Sequence, residues 1–177
     1  MTSTDVKNEI QRIAFDVNLR FMAEVFPKLE DKACIKGVRF DWGHPLEITQ
    51  RLIQYTQHDD LKFEKFPLIA LYTDFPIYHR RHGDYHGTSL EIAIVHYTEP
   101  NYQARDREMK SFIPILHPIY ALFMEGIEES SMFIGPQYTH KVTDRYFWGK
   151  KPLGNEYNDY VDAVHIEDLE LIVNPIC

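Results

Sequence analysis

Across residues 5–26 the apolar side chains fall at Val6, Ile10, Ile13, Val17, Phe21 and Val25, every third or fourth position. That spacing lays them along one stripe of an α-helix, with Thr4 as its N-cap and Pro27 as its stop. The next apolar run, residues 34–42, has strand composition and ends at Gly43-His44-Pro45. Pro45 suits a first helical position, and Ile48, Leu52 and Tyr55 share a face, so a second helix is predicted over 45–57. Residues 66–73, an apolar run with Pro67 at its start, predict a further strand.

The stretch from Gly87 to Ser130 organises the chain. Leu90, Ile92 and Ile94 alternate along a strand and share one face, which a following helix must cover. Leu116, Tyr120, Phe123 and Ile127 supply the stripe that does so. A proline inside a helix lacks a donor and clashes with the carbonyl four residues back. Pro114 and Pro118 therefore set the firm helix from about residue 115 or 118 to 130, with 105–113 a separate turn or a kinked extension.

Between the strands at 66–73 and 87–95 lies a polar segment, 74–87, expected as the tip of a projecting hairpin. Residues 131–146 have room for one or two short strands, and 148–159 read as a long projecting Gly/Pro/Asn-rich loop. From 160 to 173 apolar residues alternate, but Glu167-Asp168 shifts the phase, as a β-bulge does. The order predicts an α+β fold over one domain, 1–177: a mostly antiparallel sheet packed by the N-terminal helix and a helix near 115–130.

A length of 177 residues suits one domain with a large core. The 11 tyrosines and 11 phenylalanines are high for that length and suit a large core or a subunit interface. A net charge of −8 argues against a nonspecific nucleic-acid binder, which needs clustered Lys and Arg. It is compatible with a surface past which DNA slides. Two distant cysteines, Cys34 and Cys177, predict no disulfide framework and a reducing compartment. With no run near the ~18 apolar residues of a membrane span, the expectation is a soluble protein, intracellular where it is made, with no membrane partner.

His79, His82 and His86 with Asp84 have the residue types of a zinc site. They fall on a hairpin tip without rigid support, so the expectation is a solvated or partner-contacting loop, no metal and no cofactor. Asp84 and Glu91 lack the convergent lysine of a metal-dependent nuclease. His96 and His117 lie on element faces and are expected as satisfied, half-buried side chains. No G-x-S-x-G elbow or phosphate-cradling glycine loop is present, so no catalytic residue is assigned. Arg80 and Arg81 suit a phosphate, a solvated turn, or carboxylates such as Glu128, Glu129 and Asp59-Asp60 on an identical neighbour, and Asp144-Arg145-Tyr146-Phe147-Trp148-Gly149 has the composition of an interface hot spot or of a core closure. The candidate subunit-interface set is Tyr78, His79, Arg80, Arg81, His82, Arg145, Tyr146, Phe147 and Trp148.

The segments KFPLIALYTDF, SLEIAIVHYTEPNYQARDREMKSFIPILHPIYALFMEGI and DAVHIEDLELIV, in that order, resemble the tail-terminator and tail-completion proteins at the head–tail neck of tailed bacteriophages. The resemblance covers the layout from Asp5 to Val173; the long segment 131–159 and the two prolines depart from it. It implies a non-catalytic virion structural protein, assembled as a ring oligomer with neighbouring connector and tail proteins, through whose lumen DNA passes. The alternatives are a metal-dependent enzyme with a His-rich loop and an accessory protein-binding domain.

Overall fold

The computed structural model describes residues 2–32, 35–57, 64–79, 86–134, 139–148, 150–151, 154–155 and 160–174. Helix α1 spans Ser3–Arg20, runs on through a π turn at Phe21–Val25 and ends in a 3₁₀ turn, Phe26–Lys28, that contains Pro27. Its cap is Thr2, not Thr4. Thr2 accepts from the Asp5 backbone N–H while the Asp5 carboxylate accepts from Thr2 N at 2.7 Å, a reciprocal pair that satisfies two orphan donors. Strand β1 covers only Arg39–Gly43, shorter than predicted. Ahead of it Gly37 takes a φ of 144°, where a Cβ would lie 2.6 Å from Asn18 Oδ1, and that oxygen accepts from Val38 N at 2.7 Å. Cys34 lies outside the described residues.

Helix α2 spans Pro45–Gln57 and strand β2 Leu68–Tyr72. Strand β3, Ile77–His79, and the long strand β4, His86–Tyr97, form the hairpin base. The helix after β4 starts earlier than predicted. Gln103 and Asp106 form a capping box, then α3 (Ala104–Arg107), a π segment (Glu108–Leu116) and α4 (His117–Glu129) follow without a break. The π segment accommodates Pro114, because bonding to the fifth residue back moves the crowded carbonyl away from the ring. Pro118 sits in the first turn of α4, where no backbone donor is required.

Strand β5 is Lys141–Arg145, and Phe133 adds one bridge to Val173. The predicted loop 148–159 instead carries two short paired strands, β6 (Lys150–Lys151) and β7 (Gly154–Asn155). The closing strand β8 is Val161–Val173.

The main sheet has the order β1-β2-β4-β8-β5, with β3 on the β2 side of β4. Only β1–β2 is parallel, so the fold is α+β with a mostly antiparallel sheet. Alternation splits the core in two. Ile69, Leu71, Leu90, Ile92, Ile94, Val164 and Ile166 face α1 and the 104–129 helix. Leu68, Ala70, Tyr72, Ala93, Val95, Val161 and Ala163 face the other way, where Ile48 and Leu52 of α2 cover them. The expected bulge is present: Leu90 pairs with Leu169 and Ile92 with Ile166, leaving Glu91 against Glu167-Asp168, and Asp168 takes a φ of 56°.

Candidate functional site

On the α2 side of the sheet the strands beyond that helix carry charge instead of apolar residues. The rungs Lys141↔Glu167 and Arg145↔Ala163 place Lys141, Arg145, His165 and Glu167 on one face, beside Glu91 at the bulge. His165 is 7 % exposed and ties three strands together: its Nε2 lies 2.8 Å from Glu91 Oε1, and Arg145 Nε lies 3.1 Å from its Nδ1. Because a guanidinium only donates, Nδ1 accepts and Nε2 carries the proton to Glu91. Both ring nitrogens are thus committed. Glu167 accepts from Lys141 at 3.0 Å and from Arg145 at 3.3 Å, and Lys141 foremost among its neighbours lowers its pKa.

Next to this network a groove of about 420 Å³ opens at the root of the hairpin, lined by Tyr72, Asp74, Phe75, Glu91, Glu167 and Asp168 among others. Four pieces of chain build it: His44-Pro45 at the start of α2, the end of β2 and its exit, the β4 bulge, and the β8 bulge opposite. Tyr72 forms part of the wall, 9 % exposed, its ring edge-on to His165 with centroids 6.3 Å apart. Its hydroxyl has no hydrogen-bond partner among the described residues. Burial and the Glu91 charge raise its pKa, so the phenol keeps its proton. Asp74 and Asp168 are exposed and unpaired among the described residues. The groove therefore offers carboxylates, one phenol and an aromatic wall, a set suited to a cationic donor.

A second polar centre lies on the opposite face. Arg107 (1 % exposed) meets Asp162 (0 %) at 2.7 Å and also donates to Thr98 Oγ1 and to the Tyr102 and Glu99 carbonyls. Phe147 stacks on its guanidinium at 3.6 Å and donates its own N–H to Asp162 Oδ1 at 3.1 Å, in a left-handed conformation with φ 51°. The pair clamps the helix start and the β5 exit onto β8.

The sequence-predicted interface residues fall in two places. Tyr78 is 56 % exposed on β3, where it pairs with Gly87, and His79 pairs with His86; Arg80, Arg81 and His82 lie outside the described residues. Arg145 belongs to the His165 network, Tyr146 is 44 % exposed with its ring edge-on to Phe112, Phe147 lies under Arg107, and Trp148 packs on the α2-side core. Arg145 pairs with Ala163, opposite Val95. Gly87 and Val95 are about 27 Å apart along β4 at 3.4 Å per residue, so hairpin and aromatic run form separate surfaces.

His117 is satisfied as expected, by Asp144 at 2.9 Å, but it is exposed rather than half-buried. His96 departs from the expectation: its Nδ1 is buried without a partner among the described residues, and burial pushes its pKa down to about 4. Sequence reasoning passed over Tyr72, Arg107, Asp162 and His165. The available signal was an acid and a histidine inside the apolar run VDAVHI; what they meet is 55 and 74 residues away in sequence. Among the described residues no group of three or more His, Cys, Asp or Glu side chains is arranged to hold a metal ion, and no helix is long and apolar enough to cross a membrane. No protein-family model matches the chain, and no curated protein matches it.

Proposed function

We propose that this chain is a structural protein of the head–tail neck of a tailed bacteriophage virion, a terminator or connector that works as a homo-oligomeric ring and does no bond chemistry. The observation that carries the reading is the anchored hairpin. β3 flanks the first residues of β4 on one side, β8 backs them on the other at Leu171–Val173, and β2 has already ended at Ile92. A three-stranded base thus extends past the end of β2, with Tyr78 exposed on it. The element order supports the same reading: an N-terminal helix, a strand entered through Pro67, a hairpin, a strand feeding a long helix, and a closing strand.

Heterologous contacts between identical subunits close into a ring when their rotation closes. A surface of net charge −8 would let DNA pass a lumen without adhering. The test is native mass spectrometry with electron microscopy of the purified chain. A closed oligomer is expected, and deletion of residues 78–86 should leave a folded monomer with an unchanged far-ultraviolet spectrum. A wild-type chain that stays monomeric at every concentration and salt level refutes the reading.

A further inference from the structure

We infer that His165 is a proton switch for Arg145: when the imidazole takes a second proton, its Nδ1 passes from Arg145 to Glu167 and the guanidinium is released to solvent beside the outermost strand of the sheet. The switch acts within one chain and is independent of the ring reading.

The geometry holds both states within reach. Nε2 gives its proton to Glu91 Oε1 at 2.8 Å, and Nδ1 accepts from Arg145 Nε at 3.1 Å. A second acceptor, Glu167 Oε1, lies 4.0 Å from the same Nδ1. A shift of about 1 Å brings that pair to hydrogen-bond distance. While Nδ1 is bare, Arg145 is its donor. A proton there sets N–H against N–H and adds a positive charge beside a guanidinium that cannot give up its own.

The charges around the ring decide which group leaves. Those that face it are Glu91 from β4, Lys141 and Arg145 from β5 and Glu167 from β8, while Tyr72 from β2 is a neutral phenol. His44, Asp74 and Asp168 line the groove alongside Glu91 and Glu167. With the ring neutral, the two facing carboxylates balance the two cations. A further proton leaves one positive charge in excess around a side chain that is almost wholly buried. Lys141 keeps its 3.0 Å contact with Glu167 Oε2, which leaves Oε1 for the imidazolium. Arg145 has the weaker hold, since its remaining contacts are 3.4 and 3.3 Å to the two Glu167 oxygens, and its side chain, 42 % exposed, already reaches water. Glu167, whose pKa Lys141 lowers, is still charged in the range where imidazoles titrate.

β5 ends the strand order of the main sheet and pairs only with β8 among the described residues. The switch therefore stows a cation against the sheet in neutral solution and presents it at the sheet edge in mild acid, where a carboxylate of a partner can take it.

The experiment is nuclear magnetic resonance of the full-length chain, labelled with nitrogen-15, from about pH 8 to about pH 5, the range in which histidines titrate. At the upper end His165 should be the Nε2–H tautomer and the Arg145 Nε–H should exchange slowly with water. As Nδ1 takes its proton, the Arg145 signal should move to the shift and fast exchange of a solvated arginine, with the same midpoint. Glu167→Gln should lower that midpoint and Arg145→Met should raise it, each by about one pH unit or more, the scale set by one charge in close contact. Circular dichroism establishes that both variants are folded, and the wild-type titration decides the matter should either fail to fold. An Nδ1–H tautomer at the upper end, a ring that takes no second proton over the range, or an Arg145 Nε–H that stays protected after it does overturns the switch. Folded variants whose midpoints do not move, or move the other way, overturn it too.

Discussion

Replacing Arg107 with alanine is expected to be among the most damaging single substitutions in this chain. Its guanidinium is enclosed by Asp162, Thr98, two carbonyls and the Phe147 ring, and the two charged side chains are 2 % and 0 % exposed. Truncation leaves the Asp162 carboxylate buried with the Phe147 N–H as its remaining donor, since its Oδ2 already has none. Breaking a buried pair from one side costs about 3–5 kcal/mol. Against a total stability of about 5–15 kcal/mol this is from roughly a fifth to all of the whole. With a urea slope near 2 kcal/mol/M, the unfolding midpoint should fall by roughly 1.5–2.5 M. Asp162→Asn keeps the size and one oxygen acceptor, so its loss should be smaller, about 1–3 kcal/mol. Phe147→Leu, combined with Arg107→Ala in a double-mutant cycle, should show coupling of about 0.5–2 kcal/mol. An Arg107→Ala midpoint within 0.5 M of wild type, taking ~0.5 M as about 1 kcal/mol, refutes the view that this clamp holds the helix and the β5 exit to β8.

Gly126→Ala would place a Cβ 2.6 Å from Ile13 Cγ2. Despite alanine's better helix propensity, the melting temperature should drop by roughly 3–10 °C, the signature of about 1–3 kcal/mol of overpacking between α1 and α4. At position 168, with φ 56°, Asp168→Gly should be neutral or slightly stabilising while Asp168→Val costs at least about 1 kcal/mol in a denaturant titration; equal midpoints for the two would refute strain at the bulge. His96, held down to about 4 from 6.5, binds its proton more readily unfolded than folded, so stability is full above pH 6.5 and declines as pH falls toward 4. His96→Gln should flatten that part of the stability–pH curve. Glu9 is held low by Arg12 first and also by Ser130, so its contribution is present above its ordinary value of 4.5 and lost below it; Ser130→Ala should shallow the acid limb of the same curve.

Much of the fold was written in local pattern. The α1 stripe, the face shared by Leu90, Ile92 and Ile94, and the phase shift at Glu167-Asp168 each depend on neighbours within a few residues, and each is present as predicted. The errors are also local in origin. Thr4 is as good a cap as Thr2 by residue type, but only Thr2 has an acid at the reciprocal position. Pro114 breaks a regular α-helix, yet a π segment carries the chain through it, and packing of Phe112, Ile115 and Leu116 holds that geometry in place.

By itself, then, the sequence determined which residues point inward and what kind of element each run forms, because the periods of helix and strand are properties of the backbone. Which strand lies beside which was decided only in three dimensions. The order β1-β2-β4-β8-β5 brings Glu91 to His165 and Arg145, joins Arg107 to Asp162, and assembles the groove around Tyr72 from segments nearly a hundred residues apart. Charge and hydrogen-bonding chemistry act through space, and no spacing along the chain encodes a distance across a sheet.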